Sequence, residues 1–347
     1  SRATVLMEKI QFKNRQFNNK LFSLSHTFSS NQLIILSSPS LAEETFLLLK
    51  EELSPHKLYL FPHTETLPYD FFSPSTSIKN QRLTTLSKII SKKQNVLICS
   101  IQSLMSPCSE KEHLLPVNRL NINDQLNRTD FIKSLLNAGY ERKELTTDVG
   151  DYSVRGFIID LFPTGSRYPI RVEIYENKIE SLRFFNPQNQ LTTKLLNSFS
   201  TLPPHEYPLD KKSINTFKLN WRKYFDAFEG DSSIFQRISE GKFAEGAEMY
   251  LPLFFNKKIT PIDYLDKYQK VILDSKVMKI SRQYENLINE RYEEYKFDIQ
   301  RPLINPKDLF LQFKQFKDFI EDKTLKVVTL KSFISKQKRN KNKETNK

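Results

Sequence analysis

Between Ile170 and Tyr175 the chain reads Ile-Arg-Val-Glu-Ile-Tyr, so Arg171, Glu173 and Tyr175 fall at every second position. In a β-strand such residues share one face, while Val172 and Ile174 point to the other. The chemistry this face offers is recognition. An arginine fork pairs bidentately with a carboxylate and still stacks on an aromatic ring, and arginine and tyrosine dominate interface energetics. Arg155, beside Gly156 on the preceding strand-like segment, can join the face. Arg183, in Ser181-Leu182-Arg183-Phe184-Phe185, is a weaker candidate on the next one. The same residue types also decorate ordinary half-solvated sheets, where a surface pair contributes ~0–1 kcal/mol.

Bond-making chemistry has no comparable footing. A nucleoside triphosphatase needs a glycine-rich loop ending in Gly-Lys-Ser/Thr after its first strand, so that backbone N–H groups and a lysine hold the phosphates. After the apolar run Leu33–Leu36 this chain has Ser37-Ser38-Pro39-Ser40-Leu41-Ala42-Glu43-Glu44-Thr45. It has no glycine, a proline that removes a donor, and two glutamates that repel phosphate. Gly241-Lys242 is followed by Phe243. The five histidines (26, 56, 63, 113, 205) stand far apart, with no His-Glu-x-x-His or Cys-x-x-Cys spacing. Glu43/Glu44 and Glu293/Glu294 lie in charge-rich helical surroundings typical of solvated faces, and Ser100 and Ser103 lack a glycine-flanked elbow. No catalytic, metal or cofactor residue is assigned, and no enzyme activity is expected.

The elements that must carry the arginine face are legible from patterning. Leu33–Leu36, Leu58–Leu60 and Val96–Ser100 are short apolar runs of the kind that form buried parallel strands. Between them, Ser77 is placed to cap a helix presenting Leu83, Leu86 and Ile90. That alternation predicts an α/β layer. A helix follows over Thr129–Ala138, with Phe131, Ile132, Leu135 and Leu136 inward and Gly139 as its left-handed stop. Three strand-like segments, 152–162, 169–175 and 179–185, then make an antiparallel insert, with Glu176-Asn177 at a hairpin tip. Beyond residue 205 the pattern turns helical, with a strand at Lys270–Leu273. A long helix then buries Val277, Ile280, Tyr284, Leu287, Ile288 and Tyr292.

At 347 residues, with 38% hydrophobic and 12% aromatic, the chain supports two or three ordinary cores. Its longest apolar runs fall far short of the ~20 residues of a membrane helix. No signal segment opens it, and Cys99 and Cys108 make no disulfide or zinc framework, so a cytoplasmic setting without membrane contact is expected. The net charge is +13, and between Lys336 and Lys347 six Lys/Arg stand against Glu344 alone. This basic tail reads either as a solvated, disordered end or as a nucleic-acid contact that exchanges counterions for phosphates.

Three segments together carry a family resemblance. The first runs from Gly139-Tyr140-Glu141-Arg142 through Asp151-Tyr152-Ser153-Val154-Arg155-Gly156-Phe157-Ile158-Ile159-Asp160-Leu161-Phe162-Pro163 to Phe185. The second is Thr64-Glu65-Thr66-Leu67-Pro68-Tyr69-Asp70-Phe71-Phe72-Ser73-Pro74, continuing to Ile78 and Gln81-Arg82-Leu83. The third is Ala244-Glu245-Gly246-Ala247-Glu248-Met249-Tyr250-Leu251-Pro252-Leu253-Phe254-Phe255, with Ile262-Asp263-Tyr264-Leu265 and Arg301-Pro302-Leu303. The set resembles the amino-terminal, UvrB-homology region of the bacterial transcription-repair coupling factors (Mfd). The module at Gly139–Phe185 is shared with UvrB, but only Ser75-Thr76-Ser77 separates Pro74 from the next helix, too short for UvrB's DNA-probing hairpin. Tyr69, Phe71 and Phe72 are then expected in core and loop packing.

The resemblance implies a split parallel-sheet domain of degenerate P-loop, helicase-like type (residues 1–115 and 205–325) interrupted by an α+β domain (116–204) and followed by the tail (326–347). It implies that the α+β domain docks UvrA through Arg155, Arg171 and Tyr175, with Glu173 and Arg183 beside them. Position 175 is tyrosine where the family pattern has phenylalanine. The implied function is recruitment of nucleotide-excision repair to stalled transcription. RNA polymerase and DNA are indirect partners in the full-length family, and a monomer is expected. The motors and the polymerase-binding part are absent, and Ser1 in place of an initiator Met suggests an excised or processed region. Without the carboxy-terminal domain that shuts it in the family, the docking face is expected to be open. Two alternatives remain: a non-specific nucleic-acid binder, and a decayed remnant without activity.

Overall fold

The computed structural model describes residues 31–50, 58–91, 95–226, 232–322 and 326–330. The chain opens with β1 (Gln32–Leu36), α1 (Pro39–Lys50), β2 (Leu58–Phe61), α2 (Thr76–Ile90), β3 (Val96–Ser100) and α3 (Ile101–Met105). Next come β4 (Asn118–Asn121), α4 (Arg128–Ala138), β5 (Glu141–Arg142), β6 (Asp151–Arg155), β7 (Ile158–Leu161), β8 (Ile170–Tyr175), β9 (Lys178–Phe185), β10 (Thr192–Leu195) and β11 (Ser198–Thr201). The return runs through α5 (Lys211–Tyr224), α6 (Ser233–Ser239), α7 (Leu251–Phe255), β12 (Lys270–Asp274), α8 (Val277–Tyr295), α9 (Pro306–Leu309), α10 (Phe313–Ile320) and β13 (Lys326–Leu330).

Strands β13-β12-β1-β3-β2 form one sheet, parallel throughout. Every residue of β1 is buried, as both faces of a parallel sheet require. Alternation divides its side chains between two cores. Leu33 and Ile35 join Leu97, Cys99, Val271 and Leu273 on one face. Ile34 and Leu36 join Ile98, Ile272, Leu58 and Leu60 on the other, under α1. The tail expected from residue 326 is corrected at its start, since β13 pairs in register with β12. Its Val-Val-Thr run is β-branched and suited to a strand, a signal that the neighbouring charge obscured. The rest of the predicted tail, 331–347, lies outside the described residues.

The second sheet, β10-β9-β8-β7-β6-β5, is mostly antiparallel and covers its own core with α4. Gly139 ends α4 at φ +98°, as expected. Phe131, Leu135 and Ala138 form the buried stripe of α4, which leaves Leu136 about 100° away around the helix and half exposed, contrary to expectation. The α2 cap is Ser75 and not Ser77: its Oγ accepts from the Ile78 N–H. The segment 152–162 is two strands, because Gly156, at φ +55°, turns the chain back. Glu176 and Asn177, at φ +49° and +60°, form the expected tip of the β8–β9 hairpin.

Where the chain leaves the second sheet, Glu206 reaches back to Arg82 on α2. Their side chains are 0% and 1% exposed and meet at 2.9 Å. The Arg82 guanidinium also donates to the carbonyls of Pro62, after β2, and Pro107, after α3. A second tie is the Gly165 N–H donating to Asn80 Oδ1 at 2.7 Å. Removing one partner of a buried ion pair strands the other charge. Glu206→Ala is expected to destabilise the protein by about 3–5 kcal/mol, read from urea unfolding. A change below ~1 kcal/mol would contradict this account.

Candidate functional site

The arginine face is built by β6 to β9. Register places Ser153, Asp160, Arg171 and Arg183 in one row across four strands, and Arg155, Ile158, Glu173 and Ser181 in the next. Rows between these carry Val154, Ile159, Val172 and Leu182 into the core. Arg155, Arg171, Glu173 and Arg183 thus stand on one face, as alternation predicts. Glu173 is half-buried and Arg183 is exposed.

The face has a centre that sequence reasoning missed. Asp160 is 1% exposed and takes both arginines. Arg171 donates from Nε to Oδ1 at 2.8 Å and from Nη2 to Oδ2 at 2.9 Å, a bidentate fork. Arg155 Nη2 adds a third bond, to Oδ2 at 3.0 Å. Arg171 further donates to the Gln190 carbonyl at 3.2 Å and lies 4.7 Å over the Phe185 ring. Its hydrogen bond to Asp160 holds the guanidinium pKa above its ordinary value. The two arginines therefore differ. Arg171, 13% exposed, is committed to internal partners, whereas Arg155 is 49% exposed and shares one oxygen that keeps another cation when Arg155 leaves.

Beside Arg155, the two hairpin tips meet. The Phe157 carbonyl accepts from the Ile174 N–H at 2.8 Å, which docks the β6–β7 turn onto β8 where β9 bulges opposite it. The Phe157 and Tyr175 rings then pack edge to face, centroids 5.7 Å apart. They are 66% and 53% exposed. An apolar pair left this open invites a partner. Phe157 was also missed. The signals available were an aromatic in a glycine turn and one acid in the apolar run Ile158-Ile159-Asp160-Leu161.

The turn that would cradle phosphates in an ATPase commits its hydroxyls to internal partners. Ser38 Oγ accepts from the Leu41 N–H at the start of α1, and Ser37 Oγ donates to the Asp274 carboxylate. Among the described residues no group of three or more His, Cys, Asp or Glu is arranged for a metal, and no helix is long and apolar enough to cross a membrane.

Comparison with known proteins fits this geometry. The model of the UvrB interaction domain matches residues 119–207, which contain the whole arginine face. A transcription-repair-coupling factor from Haemophilus influenzae is 35% identical over 263 residues, covering 75% of this chain and 23% of its own length. That of Escherichia coli is 31% identical over 273 residues, covering 77% and 23%. The chain belongs to the transcription-repair-coupling-factor family, as its amino-terminal region. The resemblance drawn from the three motif segments is borne out. A coupling factor from Rickettsia bellii extends the match to 90% of this chain at 26% identity, covering 29% of its own length. The chain thus spans about a quarter of the length of the coupling factors it matches.

The asymmetry of the two arginines is open to measurement. Arg171→Ala leaves Asp160 buried with one partner and is expected to lower stability by ~2–4 kcal/mol. Arg155→Ala is expected to lower it by less than ~1 kcal/mol. Equal losses in urea unfolding would remove the distinction between a positioning and a contacting arginine.

Proposed function

We propose that the chain is the UvrA-docking module of a transcription-repair coupling factor, and that its role is to bring excision repair to stalled transcription. The observation that carries this reading is the exposed group Arg155, Phe157 and Tyr175, held over the buried Asp160–Arg171 fork inside the segment that matches the UvrB interaction domain. Arg155 and the two rings are the contacts. Arg171 positions them, Glu173 sets the polarity of the rim, and Arg183 lies one strand further out. Their exposure supports a face that is open in this chain.

The parallel layer is read as a degenerate P-loop, helicase-like fold, split as residues 1–115 and 205–325 around an inserted docking domain at 116–204. The glycine-free turn after β1 supports a layer that serves as scaffold and does not hydrolyse ATP. RNA polymerase and DNA are reached through the remaining length of a coupling factor. The protein acts in the cytoplasm as a monomer.

Titration of the cognate UvrA against the labelled chain, by fluorescence anisotropy at physiological salt, tests the reading. Tyr175→Ala and Arg155→Ala are each expected to weaken binding at least tenfold, with unfolding midpoints close to wild type. Unchanged affinity in both would move the docking site off this face. No binding by the wild-type chain at micromolar concentrations would sink the docking function.

A further inference from the structure

Away from the arginine face, α5, α7 and α9 enclose a cleft of about 650 Å³ that shares no residue with it. Its lining includes Lys223, Lys257, Lys258 and Lys307 against a single carboxylate, Asp308. That carboxylate is engaged, accepting from the Tyr224 hydroxyl at 2.7 Å. Lys258 is engaged too, since Nζ donates to the carbonyls of Lys307 and Phe310 and to Gln315 Oε1. Lys223, Lys257 and Lys307 are exposed and form no ion pair among the described residues. Glu110 flanks Lys257 without pairing; burial, then Glu112, push its carboxyl up, and Lys257 opposes them.

Three exposed ammonium groups around one cleft are like charges that an anion would bring together. We propose that this cleft seats the phosphate backbone of a nucleic acid, bound without regard to sequence. Lysine suits that task as a compact point charge that needs no planar match to its ligand. An extended polyanion fits better than a small phosphate compound, because the positive field continues along α5. Lys212 lies on the same side of that helix as Lys223, three turns earlier and about 16 Å away, and the helix itself carries no acidic residue. Each phosphate neutralised by a lysine releases counterions, so binding must weaken steeply with salt.

The test is anisotropy of a fluorescein-labelled 20-mer of arbitrary sequence, as duplex and as single strand, titrated with the full chain at several salt concentrations. Wild type is compared with K223E/K257E/K307E and with a second variant in which Lys336, Lys338, Arg339, Lys341, Lys343 and Lys347 are all Gln. The cleft variant is expected to bind at least tenfold more weakly at low salt. Its slope of log K against log salt should flatten by about 2–3, near one unit for each phosphate no longer neutralised. The tail variant should keep the wild-type dependence on the cleft lysines. K223Q/K257Q/K307Q gives the same comparison if the charge-reversed protein fails to fold; Lys258 is left intact for its structural bonds. Equal binding by wild type and cleft variant, with weakening confined to the tail variant, overturns the proposal. So does a cleft that takes up tripolyphosphate while the oligonucleotide stays bound elsewhere on the chain. UvrA binding by the cleft variant should be unchanged, which separates this proposal from the docking function.

Discussion

The molecule turns on one buried ion pair. Arg82 leaves α2 in the middle of the parallel layer, and Glu206 lies where the chain re-enters that layer from the second sheet. A desolvated charge pair is not a cheap source of stability. Its value here is directional. A guanidinium with Nε on Glu206 and its two other nitrogens on the carbonyls of Pro62 and Pro107 fixes three chain segments at one point. Greasy contact would hold the two sheets together at many angles. This fork accepts one, so whatever docks on the second sheet is oriented relative to the first.

The same device recurs at smaller scale on the arginine face. Asp160 is buried and negative, and the Arg171 fork satisfies both of its oxygens. With that demand met, the second cation, Arg155, is optional to the fold and half exposed. A rigid internal pair carrying a lightly held external arginine lowers the ordering entropy a partner must overcome. The Phe157–Tyr175 pair adds apolar area at a spot already fixed by a backbone hydrogen bond.

Much of this was legible in the chain. The buried strands β1, β3 and β12 announce themselves as apolar runs, and Asn177 at the hairpin tip and Gly139 at the helix stop are residue types that tolerate positive φ. Strand alternation alone put Arg171, Glu173 and Tyr175 together. What it could not supply was depth. Arg171 and Arg155 look equivalent in sequence, and only the position of Asp160 makes one internal and the other external. Phe157 was hidden because a turn residue has no periodicity to betray its neighbours, and β13 because its five residues open on Lys326 and are followed by Lys331. These are long-range facts, set by which strands become neighbours.

The order β13-β12-β1-β3-β2 has a temporal side. Gln32 pairs early with Val96 but on its other side with Lys270, and β12 in turn pairs with β13, so the layer's first strand waits long for its second neighbour. The second sheet joins β5 to β10 in sequence order, each strand beside the next. Local pairings form quickly, whereas distant parallel ones close slowly. On the ribosome, the arginine face is therefore complete while the body that will orient it is still an open half-sheet. The order of pairing allows an interval of synthesis in which the second sheet stands folded on an unfinished chain.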